Sequence, residues 1–84
     1  MTYEEANKFA ISNRELIETF LHKNVRLKTL PNSRVWKVDY IEVHKYKNED
    51  ENGHFLKVFL SSFSKKYDVI KFEDFIKKYK IMAF

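Results

Sequence analysis

Apolar residues in the first quarter of the chain recur with a helical step. Ala6, Phe9, Ala10, Leu16, Ile17, Phe20 and Leu21 lie three and four apart, with Asn13 filling the missing position. That stripe predicts an amphipathic helix. Thr2-Tyr3-Glu4-Glu5 has the form of a capping box, a hydroxyl cap followed three residues later by a glutamate. Glu4 and Glu5 suit the positive end of the helix dipole, and His22 and Lys23 its negative end. A helix is therefore expected over residues 3–22. Ser12-Asn13-Arg14-Glu15 offers a second cap and predicts a kink near Ser12.

The period then changes from 3.6 to two. Val25, Leu27 and Thr29 alternate with Arg26 and Lys28, a half-buried strand, and Leu30-Pro31-Asn32-Ser33 supplies turn chemistry. The run Val35 to Tyr46 is rich in β-formers but changes phase. Trp36, Val38 and Tyr40 share one face, whereas Ile41 and Val43 are the next apolar pair, so a β-bulge is expected near Tyr40-Ile41. Asn52-Gly53 reads as a turn closing the acidic loop Lys47–Asn52. His54 to Phe63 predicts a third strand, with Leu56, Val58 and Leu60 on one face and Phe55, Lys57, Phe59 and Phe63 on the other. Such a strand is expected to be central and covered on both sides. Tyr67 to Phe72 reads as a fourth strand and Glu73 to Lys80 as a two-turn helix with Phe72, Phe75, Ile76 and Tyr79 toward the sheet. The apolar segment Ile81-Met82-Ala83-Phe84 is expected to dock on the core or to meet another subunit.

The fold class that follows is α+β in one domain over residues 1–84: an N-terminal amphipathic helix, a curved antiparallel sheet of three or four strands and a short C-terminal helix. The pattern leaves open whether the sheet curls into an SH3-like barrel.

Composition narrows the chemistry. The chain has no Cys, one Gly and one Pro among 84 residues, which excludes disulfides, Cys-ligated zinc and Gly-rich phosphate loops. Eight Phe, five Tyr and one Trp supply most of the apolar bulk that a small core needs. No signal-like segment and no apolar run near ~18 residues is present, so a cytoplasmic, non-membrane protein is expected. Abundant Lys, Asn, Ile, Phe and Tyr with scarce Gly, Pro and Ala suggest AT-rich codons, as in a low-GC bacterial genome, a phage or a mobile element.

No constellation for catalysis emerges. His22, His44 and His54 lack ligand spacing, and neither Ser61, Ser62 and Ser64 nor Glu49-Asp50-Glu51 fits a nucleophile or a calcium loop. No catalytic residue, metal or cofactor is expected, and the protein reads as non-enzymatic.

Charge points to binding instead. The net charge of +4 is uneven: residues 1–22 carry −2, residues 23–47 carry +5, residues 48–54 carry −3 and residues 55–84 carry +4. If the strand phases hold, Arg26, Lys28, Lys37 and Lys57 share the face opposite the core. Arg34 and the pair Lys65-Lys66 lie in adjoining turns, and Tyr46, Phe55 and Phe59 lie between the charges. Cations with interleaved rings suit single-stranded nucleic acid, which offers phosphates to the first and bases to the second. The competing reading puts Phe55, Phe59 and Phe63 in the core beneath the C-terminal helix. The alternative partner is an acidic protein or a second copy of the chain, met through Trp36, Ile81, Met82 and Phe84.

Overall fold

The capping box forms as its residues prescribe. In the computed structural model, which describes residues 1–30, 32–46 and 53–82, Thr2 Oγ1 accepts from the Glu5 amide at 3.2 Å and Glu5 Oε1 accepts from the Thr2 amide at 3.0 Å. Those two bonds hold the Glu5 carboxyl below its ordinary range. The helix they start, α1 (Tyr3–Ser12), gives way at Asn13 to a second helix, α2 (Arg14–Phe20). Asn13 makes the break by turning its side chain inward, where Nδ2 donates to the Phe9 carbonyl at 2.8 Å. The kink expected near Ser12 is thus an interruption one residue later. Beyond α2, His22 takes the left-handed conformation (φ 64°), and its amide donates to the Val38 carbonyl at 2.8 Å.

Five strands follow: β1 (Asn24–Leu27), β2 (Trp36–Lys45), β3 (His54–Ser61), β4 (Tyr67–Lys71) and, after helix α3 (Phe72–Lys78), β5 (Tyr79–Ile81). They form one antiparallel sheet in the order β4-β3-β2-β1-β5. The expectation of three or four strands is corrected to five, because Tyr79-Lys80 ends no helix but opens the edge strand β5. Tyr79 and Ile81 pair with Leu27 and Val25, and the Met82 amide donates to the Asn24 carbonyl at 2.9 Å. Phe72, Phe75, Ile76 and Tyr79 fit a helical stripe, but two-residue alternation of Tyr79 and Ile81 also fits a strand, and the open edge of β1 supplies its hydrogen bonds. Docking of the apolar tail on the core therefore holds for Ile81, and Met82 is held by its backbone bond to Asn24, while Ala83 and Phe84 lie outside the described residues, as does the acidic loop over residues 47–52.

The helices all lie on one face of the sheet. α1 packs on β2 and β3, and α3 on β3 and β4. Phe9 and Phe72 meet edge to face at 6.1 Å, and Phe20, Phe75 and Tyr79 form a run of rings at 5.0 and 5.3 Å. Beneath them Val25, Val38, Leu56, Val58 and Leu60 are fully buried. β3 is central, as expected, but it is covered on that face only. The bulge in β2 falls between Val38 and Tyr40, one residue before the expected place. Asp39 is the extra residue, so Tyr40 moves to the uncovered face and is 59% exposed. β1 ends at Leu27 rather than Thr29, and β3 at Ser61, leaving Phe63 92% exposed in the following turn rather than in the core. The serines serve that turn: Ser62 Oγ accepts from the Lys66 amide at 3.3 Å and lies 3.0 Å from Ser64 Oγ.

Gly53 does not supply a left-handed turn, since its φ is not positive. Its role is close approach: a Cβ there would lie 2.9 Å from the Met1 carbonyl oxygen, which accepts from the His54 amide at 2.6 Å. At the far edge, the outward amide of Val69 in β4 donates to Asp68 Oδ1 at 2.8 Å. No helix among the described residues is long and apolar enough to cross a membrane.

Phe75 and Phe63 test this packing in opposite senses. Phe75→Ala should cost about 3–5 kcal/mol in urea unfolding, while Phe63→Ala should stay within about 0.5 kcal/mol. Equal losses would contradict the burial described. A second test uses pH. Burial pushes the Tyr79 phenol above its ordinary range, and the Asp68 carboxylate adds to the shift. The neutral phenol is favoured in the fold, so its contribution is complete below the unfolded pKa of about 10 and is lost as pH rises through the folded value. Tyr79→Phe should therefore flatten the fall in stability above about pH 10, and an unchanged slope would refute a buried phenol.

Candidate functional site

The face turned away from the helices is assembled by register. Across β2, β3 and β4 the pairing places Glu42, Lys57 and Lys71 side by side, then Tyr40, Phe59 and Val69, then Lys37, Ser61 and Tyr67. Across β1 and β5, Arg26 lies opposite Lys80 on the same face. Nothing among the described residues packs over this surface; Tyr67 is 77% exposed and Phe55, Lys57 and Phe59 are half-buried by their own neighbours.

Rings and ammonium groups interleave there. Tyr46 stacks on Phe55 with centroids 4.5 Å apart, and Lys71 Nζ lies 4.9 Å from the Tyr46 centroid. Lys57 Nζ sits between two rings, 5.0 Å from Phe59 and 6.0 Å from Phe55. Phe59 also meets His44 at 5.0 Å and Tyr40 at 6.3 Å, both edge on. Each cation is thus held against the negative face of a ring, a contact of about 0.5–1 kcal/mol at exposed sites. Glu42 places a carboxylate on this face, and its Oε2 lies 3.3 Å from His44 Nε2.

Two cation pairs stand directly opposite each other across neighbouring strands, Lys57 with Lys71 and Arg26 with Lys80. Like charges in that position destabilise a sheet. At the first pair, ring contacts lie against both ammonium groups.

The residues singled out from the sequence divide into four groups. Lys57 and Tyr46 sit at the centre of the aromatic run, with Arg26 on the same face. Lys37 lies at its other end, flanked in register by Asn24 and Ser61, and that end also gathers the turn carrying Lys65 and Lys66, and Arg34, whose guanidinium lies 5.7 Å over the Trp36 ring. Lys28 does not join the face. The chain has left β1 by that point, and Lys28 Nζ donates to the Ile76 carbonyl at 2.9 Å, one of the last carbonyls of α3. Trp36 and Ile81 pack against the core from its rim, and Met82 is half-buried beside them. Lys71 and Lys80 were not among the sequence-derived candidates. Alternation of Tyr67, Val69 and Lys71 carries the signal for the first, while the spacing around Lys80 fits a helix as well as a strand.

Among the described residues no cluster of His, Asp and Glu could hold a metal ion. No family model, no curated protein and no solved structure matches this chain.

The ring contacts of Lys57 predict a spectroscopic signature. Its ε-methylene protons should resonate upfield of ordinary lysine values, and Phe59→Leu should move them back toward those values. Ordinary shifts in the unaltered protein would show that the ammonium is not held over the rings.

Proposed function

We propose that this chain is a non-enzymatic, cytoplasmic binding protein that takes single-stranded nucleic acid across its open sheet face. The observation that carries this reading is the opposed pair Lys57 and Lys71 set among Phe55, Phe59 and Tyr46. A strand of nucleic acid offers phosphates for the ammonium groups and flat bases for the rings, at about 1–3 kcal/mol per stacked base. Arg26, Lys80 and Lys37 extend the positive strip along the same face. We read the sheet itself as a partly rolled, SH3-like meander, with α3 returning the chain from β4 to the side of β1.

A second reading rests on Tyr40, Tyr67 and Val69, apolar groups exposed on this face. They would also serve an acidic protein partner or a second copy of the chain.

Fluorescence anisotropy of labelled single- and double-stranded oligonucleotides separates the two. Micromolar binding to single strands is expected, weakening steeply between about 50 and 200 mM salt. Lys57→Glu with Lys71→Glu should weaken it at least about tenfold, since each lost phosphate contact reduces both affinity and salt dependence. Lys8→Glu, on an exposed position of α1 in the opposite layer, should bind as the unaltered protein does. Absence of binding at low salt, or binding insensitive to the double reversal, would overturn the proposal and favour the protein partner.

A further inference from the structure

A cleft of about 120 Å³ opens where β1, β2 and β3 end together, lined by Asn24, Trp36, Lys37, Ser61, Ser62 and Phe63 among others. Register explains why these residues meet: Asn24 pairs with Lys37, and Lys37 with Ser61. We infer that this cleft is a subsite for one unstacked base of a single-stranded nucleic acid, an inference that rests on the nucleic-acid reading of the adjoining face.

Size is the first argument. An enclosed cavity of about 150 Å³ takes one benzene molecule, whereas pockets for larger organic ligands begin near about 300 Å³. An open cleft of about 120 Å³ thus suits a single planar ring with its substituents in solvent. Wall chemistry is the second. Trp36 is half-buried against the core and offers a fixed indole, while Phe63, in the same lining, is 92% exposed. In the same lining the Asn24 amide can both donate and accept, as can the Ser61 hydroxyl, while the Ser62 hydroxyl already serves the Lys66 amide and Ser64. Aromatic faces with donors and acceptors at the edge are what a nucleobase requires and a purely apolar side chain does not.

The rim supplies the third argument. Arg34 lies over Trp36, Lys37 is part of the lining, and Lys65 and Lys66 follow Phe63 in a turn pinned to Ser62, whose carbonyl accepts from the Lys65 amide at 3.0 Å and whose amide donates to the Lys66 carbonyl at 2.9 Å. No carboxylate lines the cleft. Four cations around a ring-sized slot favour a base that carries its own phosphate and disfavour a second copy of the same positive surface. Lys37 and Ser61 continue directly into the row of the open face, so a strand lying along that face would reach the cleft with its next base.

Trp36 is the sole tryptophan of the chain, so its emission reports on the cleft alone. The test titrates the protein with oligothymidylate, oligouridylate and an abasic deoxyribose strand, each of about ten nucleotides, following anisotropy and Trp36 emission together. Expected are quenching by the two base-bearing strands, little by the abasic one, and a loss of about five- to hundredfold in affinity for Phe63→Ala, the range of one lost stacking contact. Comparing the thymidylate and uridylate arms tells DNA from RNA. Because Phe63 is almost wholly exposed, its removal leaves the fold intact. Tight binding with unchanged Trp36 emission and an unaltered Phe63→Ala affinity would overturn the subsite while leaving the open-face reading in place. Equal affinity for the abasic strand would overturn both the subsite and the stacking of bases on the open face. Failure of every strand to bind at low salt would overturn both. A concentration-dependent dimer abolished by Phe63→Ala would reassign the cleft to self-association and overturn the inference.

Discussion

The architecture depends on how little chain joins β4 to β5. These strands are the two edges of the sheet, and the seven-residue α3 connects them with no linker on either side. A helix of that length rises about 10 Å, whereas the edges of a flat sheet of five strands stand about 19 Å apart. The sheet must therefore curl toward α3. Curling defines an inside, which Phe72, Phe75 and Phe20 fill, and an outside that the same helices cannot reach. The extra residue at Asp39 lets β2 bend through this curvature while Val38 and Ile41 both stay on the inner side. An uncovered outer face is a geometric result of the short connection, and its residues are then available for a role other than packing.

That outer face shows a balance between stability and availability. Lys57 and Lys71 repel across a strand pair, and their long stems lie against rings that would otherwise be bare. Rings and cations protect one another in the absence of a ligand, and both present themselves to one. Phe63 differs, since it is 92% exposed in a turn held by hydrogen bonds among Ser62, Ser64, Lys65 and Lys66.

Features set by near neighbours along the chain were legible in the sequence. Thr2 and Glu5 announced the first helix, Asn13 its interruption, and the phase change in β2 its bulge to within one residue. Tyr46, Lys57 and Lys37 could be placed on one face by alternation once the phase change in β2 was counted. Features set by distant partners were not legible. Tyr79 fits a helix or a strand equally well by spacing, and only the open edge of β1 decides. Tyr40 changes face according to which residue is extra. Lys28 follows the alternation of β1 yet is drawn off by the end of α3, a segment 48 positions away. Opposition of Lys57 to Lys71 depends on a register that no periodicity encodes.

Asp68 has a consequence beyond its own turn of strand. β4 is an open edge, and an incoming strand would need its outward amides as donors. One of them, on Val69, is already occupied by the Asp68 carboxylate. A visiting strand would have to displace an ion from that amide and leave a negative charge facing its own carbonyls. The molecule can thus hold a sticky, ring-bearing surface in a crowded solution while one margin of its sheet discourages growth into fibrils, so that attraction is confined to a face and denied to an edge.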